Sequence, residues 1–479
     1  MTELWQLDGI AQAELVRRRE VSPLQLVDAA IARIEQIDPK LNAVVTPLFE
    51  TAREIAAKPL SPGPLSGVPF LVKDLGCAQA GVRQTNGSRA LRDYIPARDS
   101  PLITRYREAG LVIVGRTSTP EFGNHSTTEP VLFGPTRNPW ALDRTTGGSS
   151  GASAAAIAAG LTSVASGGDG AGSLRIPASC CGVFGFKPSR GRVSSAPGGE
   201  SIGNLAIRHA MSRSVRDNAV LLDIAAVPEP GDPFFAPPPE RPFLEEVGRP
   251  PGRLRIGWTS TPAIDTAIDP DCVEAVRSAA RLLEDLGHDV TEAAPRLDGD
   301  VIIGALLAVW ATGNLGDALD CERLVGRPLE QDELEITTWE LVEHGRSLTA
   351  RDLLEAVAAF GATTRSMGAF FEDHDIWLTP TLARPPEPLG VLNRSSGSAL
   401  GWQRMDSGFN PFNPWANISG CPSMSVPLHW SADGLPIGVL ATARYGDEAT
   451  LFRLAGQLEG ARPWADRWPA IATDRSPRG

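Results

Sequence analysis

The chain has 479 residues, enough for a large core, and its 42% hydrophobic and 21% charged content is that of an ordinary globular protein. A net charge of −12 argues against nucleic acid or an anionic membrane as partner. The six cysteines (Cys77, Cys180, Cys181, Cys272, Cys321, Cys421) form no CxxC pair and are expected to be reduced; no basic-then-apolar start and no continuous apolar run near the roughly 18 residues of a membrane helix is seen, so the expected location is the cytoplasm.

The first segment reads as helical through Leu15 and Val16. Ser22-Pro23 then offers an N-cap with proline at the first helical position, and Leu24, Val27, Ile31 and Ile34 keep the helical period up to Asp38-Pro39, the expected end. The apolar run 68–72, after Gly67, predicts a buried strand closing at Lys73 and Asp74; 111–114, between Gly110 and Gly115, predicts a second. Residues 147–160 open with Gly and Ser and turn Ala-rich, a loop running into a tightly packed helix, and 167–173 is glycine-rich again. The proline-rich stretch 228–252 predicts an extended surface connection. A strand at 254–258, an amphipathic helix over 270–287 stopped by Gly287, a mostly helical stretch over 300–375, and strands at 376–378 and 436–440 complete the pattern. Strands and helices alternate without an internal repeat, which places the chain in the α/β class.

Three segments carry groups suited to chemistry. Lys73 ends a buried-type run, and burial disfavours its charged form. To act as a base near neutrality its pKa has to fall to near 7 from roughly 10.4, worth about 4 kcal/mol. Asp74 would oppose that fall, but neighbouring side chains on a strand point to opposite faces. The plain alternative is a lysine paired with a carboxylate at a strand end. Gly147-Gly148-Ser149-Ser150-Gly151 reads equally as a flexible loop. It also fits the nucleophile-elbow pattern G-x-S-x-G, yet 138–144 before it makes no buried strand, and His209, His288, His344, His374 and His429 sit in no telling context, each expected to be solvated or structural. Gly170-Ala171-Gly172-Ser173 reads as a tight turn whose successive small residues also let several backbone N–H groups converge on a developing oxyanion, with Ser173 placed to attack. Cys180 and Cys181 are expected to be core fillers. The acidic residues show no metal-ligand spacing, so no metal and no cofactor are expected.

The ordered set GVPFLVKD (67–74), GRTSTPEFG (115–123), TRNPW (136–140), GGSSGASAAAIAAGL (147–161), GGDGAGSLRIPASCCGVFGFKPSRGRV (167–193), DIWLTPT (375–381), NPWANISGCPSMSVP (413–427) and DGLPIGV (433–439) resembles the amidase signature family over nearly the whole chain. The resemblance implies one large α/β domain over 1–479, a mixed twisted β-sheet flanked by α-helices. Its core motifs fall in 67–193, and a variable, mostly helical, substrate-facing region spans about 296–410. It implies Ser173 as nucleophile, Ser149 as proton relay after a cis peptide bond following Gly148, and neutral Lys73 as ultimate base. The N–H groups of Gly170, Ala171, Gly172 and Ser173 are implied as oxyanion hole. The implied activity is hydrolysis of a carboxylic amide through an acyl-enzyme, with no histidine and no cofactor. The implied partner is a small amide, with a homodimer left open.

Two residues depart from the family wording: Ala171 stands where glycine is common, and Gly151-Ala152 replaces a common Gly-Gly. Alanine keeps its N–H but narrows the accessible backbone angles. The segments 169–179 (DGAGSLRIPAS), TRNPW, TTWELV (337–342) and GRPL (326–329) are similar to the subgroup that includes hydrolases of the aminohexanoate cyclic dimer, which sets the expected substrate as a cyclic or linear aminohexanoate-type amide. Trp310, Trp339, Trp402 and Trp415 are candidate apolar walls, and Asn124 is a candidate substrate hydrogen-bond partner. Two alternatives stand beside this reading. One is the amidase subunit of a glutamine-dependent tRNA amidotransferase, whose signature usually has glutamine where this chain has Ile176. The other is a non-catalytic scaffold of the same fold, against which intact Lys73, Ser149 and Ser173 speak.

Overall fold

An uninterrupted apolar run suits a strand covered on both faces, and every residue of β2 (Pro69–Lys73) is buried. The computed structural model describes residues 3–198, 203–394 and 397–473. The other strands are β1 (Val44–Pro47), β3 (Val112–Thr117), β4 (Arg137–Asn138), β5 (Ala141–Thr145), β6 (Val164–Asp169), β7 (Phe184–Lys187), β8 (Ile207–Ser212), β9 (Arg255–Trp258), β10 (Asp289–Glu292), β11 (Ile376–Pro380), β12 (Ser423–Trp430) and β13 (Pro436–Ala443). Among the described residues β4 and β5 form a separate ribbon and the rest one eleven-stranded mixed sheet, in the order β1-β3-β2-β6-β8-β7-β12-β13-β11-β9-β10. Helices flank this sheet, and the molecule is a single α/β domain of mixed topology.

The pleat of β2 decides where the lysine goes. Phe70 and Val72 enter one apolar cluster with Val164 and Phe184, whereas Leu71 enters a second with the alanines of the helix Gly151–Ala158. Lys73 shares the face of Leu71, so it emerges under the start of that helix. All eight helix residues are buried, and their small side chains let it lie close to the sheet. Ser153 Oγ donates to the carbonyl of Ser166 on β6 at 2.8 Å. Gly151 is required at the first turn: a Cβ there would stand 2.2 Å from Thr146 Oγ1 and 2.4 Å from Thr128 Oγ1. The Gly151-Ala152 departure thus keeps the glycine where space is shortest.

Some expectations are refined. The helix capped by Ser22 runs through Asp38-Pro39 to Leu41. Pro39 falls in the last turn, where its missing N–H removes a single hydrogen bond. Buried Ile37 and Leu41 hold that turn, and Asp38 accepts N–H groups from Ala43 and Val44. The proline-rich connection is not wholly a surface strap. Phe243 within it is buried, and its N–H and that of Leu244 donate to the Asp223 carboxylate. The helical stretch resolves into Gly299–Val325, Ile336–Ser347 and Ala350–Asp373, which pack on one another. Gly299–Val325 is long and apolar enough to pass for a membrane span, contrary to the expectation that no run comes near one. More than half of its most apolar window is buried, the state of a core helix that is apolar on most sides.

Candidate active site

β2 and β6 run parallel, so both leave the sheet at the same edge, and ligands in α/β sheets gather beyond such strand ends. Lys73 ends β2 and Asp169 ends β6. Lys73 is 1% exposed, its N–H donates to Ser166 Oγ at 2.9 Å, and its Nζ lies 2.6 Å from Ser149 Oγ and 3.1 Å from Ser150 Oγ. Burial pushes the Lys73 ammonium down to about 7, helped by the Arg208 guanidinium and opposed by Asp169 and Cys77. Asp74 takes no part in this. It points to the other face, where it accepts from Arg116 Nε at 2.9 Å and from Thr85.

The Gly148–Ser149 peptide bond is cis. A Cβ on Gly148 would stand 2.4 Å from the Thr127 carbonyl oxygen and 2.6 Å from that of His125, so only glycine fits there. Ser150, which sequence reasoning left unused, ties the two serine loops together. Its N–H donates to the Ser173 carbonyl at 3.3 Å, and its hydroxyl touches the lysine amine and the main chain of Gly168.

The 170–173 turn is organised by Asp169. Its carboxylate accepts the N–H of Gly172 at 2.7 Å and of Leu174 at 3.1 Å, and binds Arg175 Nε and Nη2 at 2.9 and 2.8 Å. Burial would raise this carboxyl, but the charges of Arg175 and Lys187 and the hydrogen bonds from Arg175 and Asn417 hold it at about 2. The four N–H groups expected as an oxyanion cradle therefore differ in availability. The Gly172 N–H is spent on Asp169, while those of Gly170, Ala171 and Ser173 donate to no partner among the described residues. Gly172 itself has φ 133, and a side chain there would press on Ile176 and Asn413. Ile176, the residue that departs from the amidotransferase wording, fills the space between Gly147 and Gly172. The Ala171 methyl packs toward the Trp310 and Trp402 cluster, and its carbonyl accepts from Asn410 Nδ2 at 2.7 Å.

Asp169 and Arg175 are wholly buried together, and removing one partner of such a pair strands the other charge. Asp169→Asn is expected to lower unfolding free energy by about 3–5 kcal/mol and to loosen the Ser173 turn. Denaturant titration beside a turnover assay checks this; a variant matching the parent in both would remove Asp169 from this role. The Asp-x-x-Gly-Ser-x-Arg spacing, an acceptor three residues before a turn N–H and six before an arginine, was the available signal for it.

Lys73, Ser149 and Ser173 line one cavity of about 200 Å³ whose walls include Phe122 and Trp310. Of the candidate tryptophans, Trp310 reaches this cavity, and Trp402 stands behind it with ring centroids 6.2 Å apart. Trp339 belongs to a separate apolar cluster, and Trp415 is buried with its Nε1 donating to the Pro411 carbonyl. Asn124 does not face the cavity. Its Nδ2 donates to Asn314 Oδ1 and Thr338 Oγ1 at 2.7 and 3.1 Å, and its Oδ1 accepts from Trp310 Nε1 at 3.0 Å. It positions the wall rather than the substrate, because a buried amide takes the nearest partners. No histidine lines the cavity. His209 is held against Asn218 at 2.9 Å, and burial pushes it down to about 4. The Cys180 and Cys181 thiols are buried and pushed up, which leaves them inert. Two hydroxyls, an amine poised near neutrality and three free N–H groups make an arrangement able to run acyl transfer.

A family model described as Amidase matches residues 25–452. A 6-aminohexanoate-cyclic-dimer hydrolase of Paenarthrobacter ureafaciens is 42% identical over 98% of this chain and 97% of its own. The solved structure of a 6-aminohexanoate cyclic dimer hydrolase complexed with substrate superposes with a TM-score of 0.93 at 40% identity, covering 98% of this chain and 100% of the other. A bacterial aryl acylamidase of the amidase signature family superposes with a TM-score of 0.88 at 28% identity, covering 98% and 99%.

Proposed function

The chain belongs to the amidase signature family and hydrolyses amide C–N bonds, and from that premise we propose that it opens aminohexanoate-type amides, the cyclic dimer included, through an acyl-enzyme on Ser173. The observation that carries this reading is the 2.6 Å contact between a wholly buried amine and Ser149 Oγ, in the cavity that also holds Ser173. Ser173 Oγ attacks the carbonyl carbon, its proton passes to Ser149 Oγ, and the proton of Ser149 passes to the Lys73 amine. Gly170, Ala171 and Ser173 donate to the oxyanion. The lysine ammonium returns the proton through Ser149 to the departing amine, and the C–N bond breaks. Water then attacks the ester by the same relay and frees Ser173. The apolar walls at Leu75, Phe122 and Trp310 suit a methylene chain, and Trp310 and Asp317 on the helix Gly299–Val325 support a substrate-facing role for that part of the chain. Six free, buried cysteines suit a reducing compartment, which supports a cytoplasmic site of action, and the acidic net charge supports a small molecule rather than nucleic acid as partner.

The test is turnover of the 6-aminohexanoate cyclic dimer to its linear product across pH. The base works only as the neutral amine, which a value of about 7 makes abundant above that pH and scarce below it. The rate is therefore expected to be level above neutrality and to fall roughly tenfold per pH unit below it. A profile flat down to pH 5, or no cleavage of this amide, would overturn the reading.

A further inference from the structure

The catalytic cavity continues outward. Gly76, Gln84, Arg208 and Asp317 line it and also line a second, wider cavity of about 510 Å³. Arg208 stands on β8 opposite Gly168 of β6, and the pleat that turns His209 into the core turns Arg208 toward the cavity. Its guanidinium lies across the backbone of Gly76, where a Cβ would meet Nη1 at 1.5 Å. Arg116, Arg175 and Arg192 each grip a carboxylate inside the protein. The Arg208 side chain, by contrast, makes no hydrogen bond and no ion pair among the described residues, and neither does that of Asp317. Gln84 Oε1, on a side chain 7% exposed, is buried without a partner at the same junction. A buried acceptor left unpaired, as this one is, is costly unless a ligand completes it. The half-buried Arg208 and Asp317 side chains face the same junction between the two cavities.

We propose that Arg208 is the receptor for a substrate carboxylate, so that this chain also takes open-chain ω-amino acid oligoamides, whose apolar spacer separates the scissile amide from a terminal carboxylate. This rests on the reading of Ser173 as the residue that cuts the amide. A planar guanidinium accepts a carboxylate with two parallel hydrogen bonds. Burial pushes Asp317 up to about 7 although the Arg208 guanidinium beside it pulls it down. Asp317 and Gln84 Oε1 offer acceptors to an N–H or ammonium of the same zwitterionic chain.

The experiment uses two ligands that differ only in the carboxylate, the linear 6-aminohexanoate dimer and 6-aminohexanoyl pentylamide, titrated calorimetrically into Ser173→Ala protein. The dimer is expected to bind roughly 10- to 100-fold more tightly, the worth of a charged hydrogen bond. Adding Arg208→Gln is expected to erase that preference, and Arg208→Lys to keep part of it. Equal affinity of the Ser173→Ala protein for the two ligands overturns the proposal. So does an Arg208→Gln protein that loses both ligands alike, since arginine would then act on the lysine or the fold. Turnover of the neutral cyclic dimer by the parent chain tests the Ser173 reading separately, because that substrate offers Arg208 no carboxylate.

Discussion

Ser173→Ala is expected to lower amide turnover by roughly 10⁴- to 10⁶-fold, the range seen when a nucleophile is removed and only binding and the oxyanion donors remain. The fold should survive, because the Ser173 hydroxyl makes no hydrogen bond among the described residues and only its carbonyl serves the loop, accepting from Ser150. The loss should therefore appear in kcat, with the cyclic dimer still bound. A fluorophosphonate probe gives the direct readout: the parent is labelled at Ser173 and the alanine variant is not. Labelling that persists and maps to Ser149 or Ser150 would move the nucleophile to the neighbouring loop.

Lys73→Met is expected to do two opposite things. Turnover should fall by about 10²- to 10⁴-fold, the contribution of a positioned base. Stability should rise. In the folded chain burial holds the amine at about 7 against an ordinary 10.5, so between these values the unfolded chain carries a proton that the folded chain lacks. The cost of folding the lysine is full below about 7 and fades as pH climbs to 10.5. At neutral pH it amounts to about 4 kcal/mol. Methionine removes that cost and leaves Ser149 and Ser150 short of a partner, a loss of about 1–3 kcal/mol. The burial term is the larger, and a net gain of about 2 kcal/mol at pH 7 follows, shrinking by pH 10. Urea midpoints at both pH values measure it. A variant less stable than the parent at pH 7 would mean that the amine is charged and paired in the folded protein.

The parts of this site written in local pattern were readable in advance. The run before Lys73 announced a buried strand, and its alternation already separated Lys73 from Asp74. The glycines flanking Ser149 and Ser173 announced loops where backbone must approach backbone. What stayed hidden depends on pairing across long distances. β7 is four residues within a motif, and β8 lacks any alternation, so neither strand stood out, and Arg208 went unnoticed with β8. Asp169 sat in plain view inside a glycine-rich segment, but its claim on the Gly172 N–H follows only from the turn's geometry. Asn124 looked available because sequence shows a side chain without its neighbours. Asn314, Thr338 and Trp310 arrive from helices some two hundred residues further on.

The lysine and both serines come from residues 73 to 173 and rest on the sheet, whereas Trp310 and Asp317 come from the single helix Gly299–Val325, whose apolar side belongs to small clusters apart from the two sheet cores. Part of the cavity wall is thus encoded far along the chain from the lysine and the two serines. Replacements along one face of that helix can reshape this part of the wall while Lys73, Ser149 and Ser173 keep the places the sheet gives them.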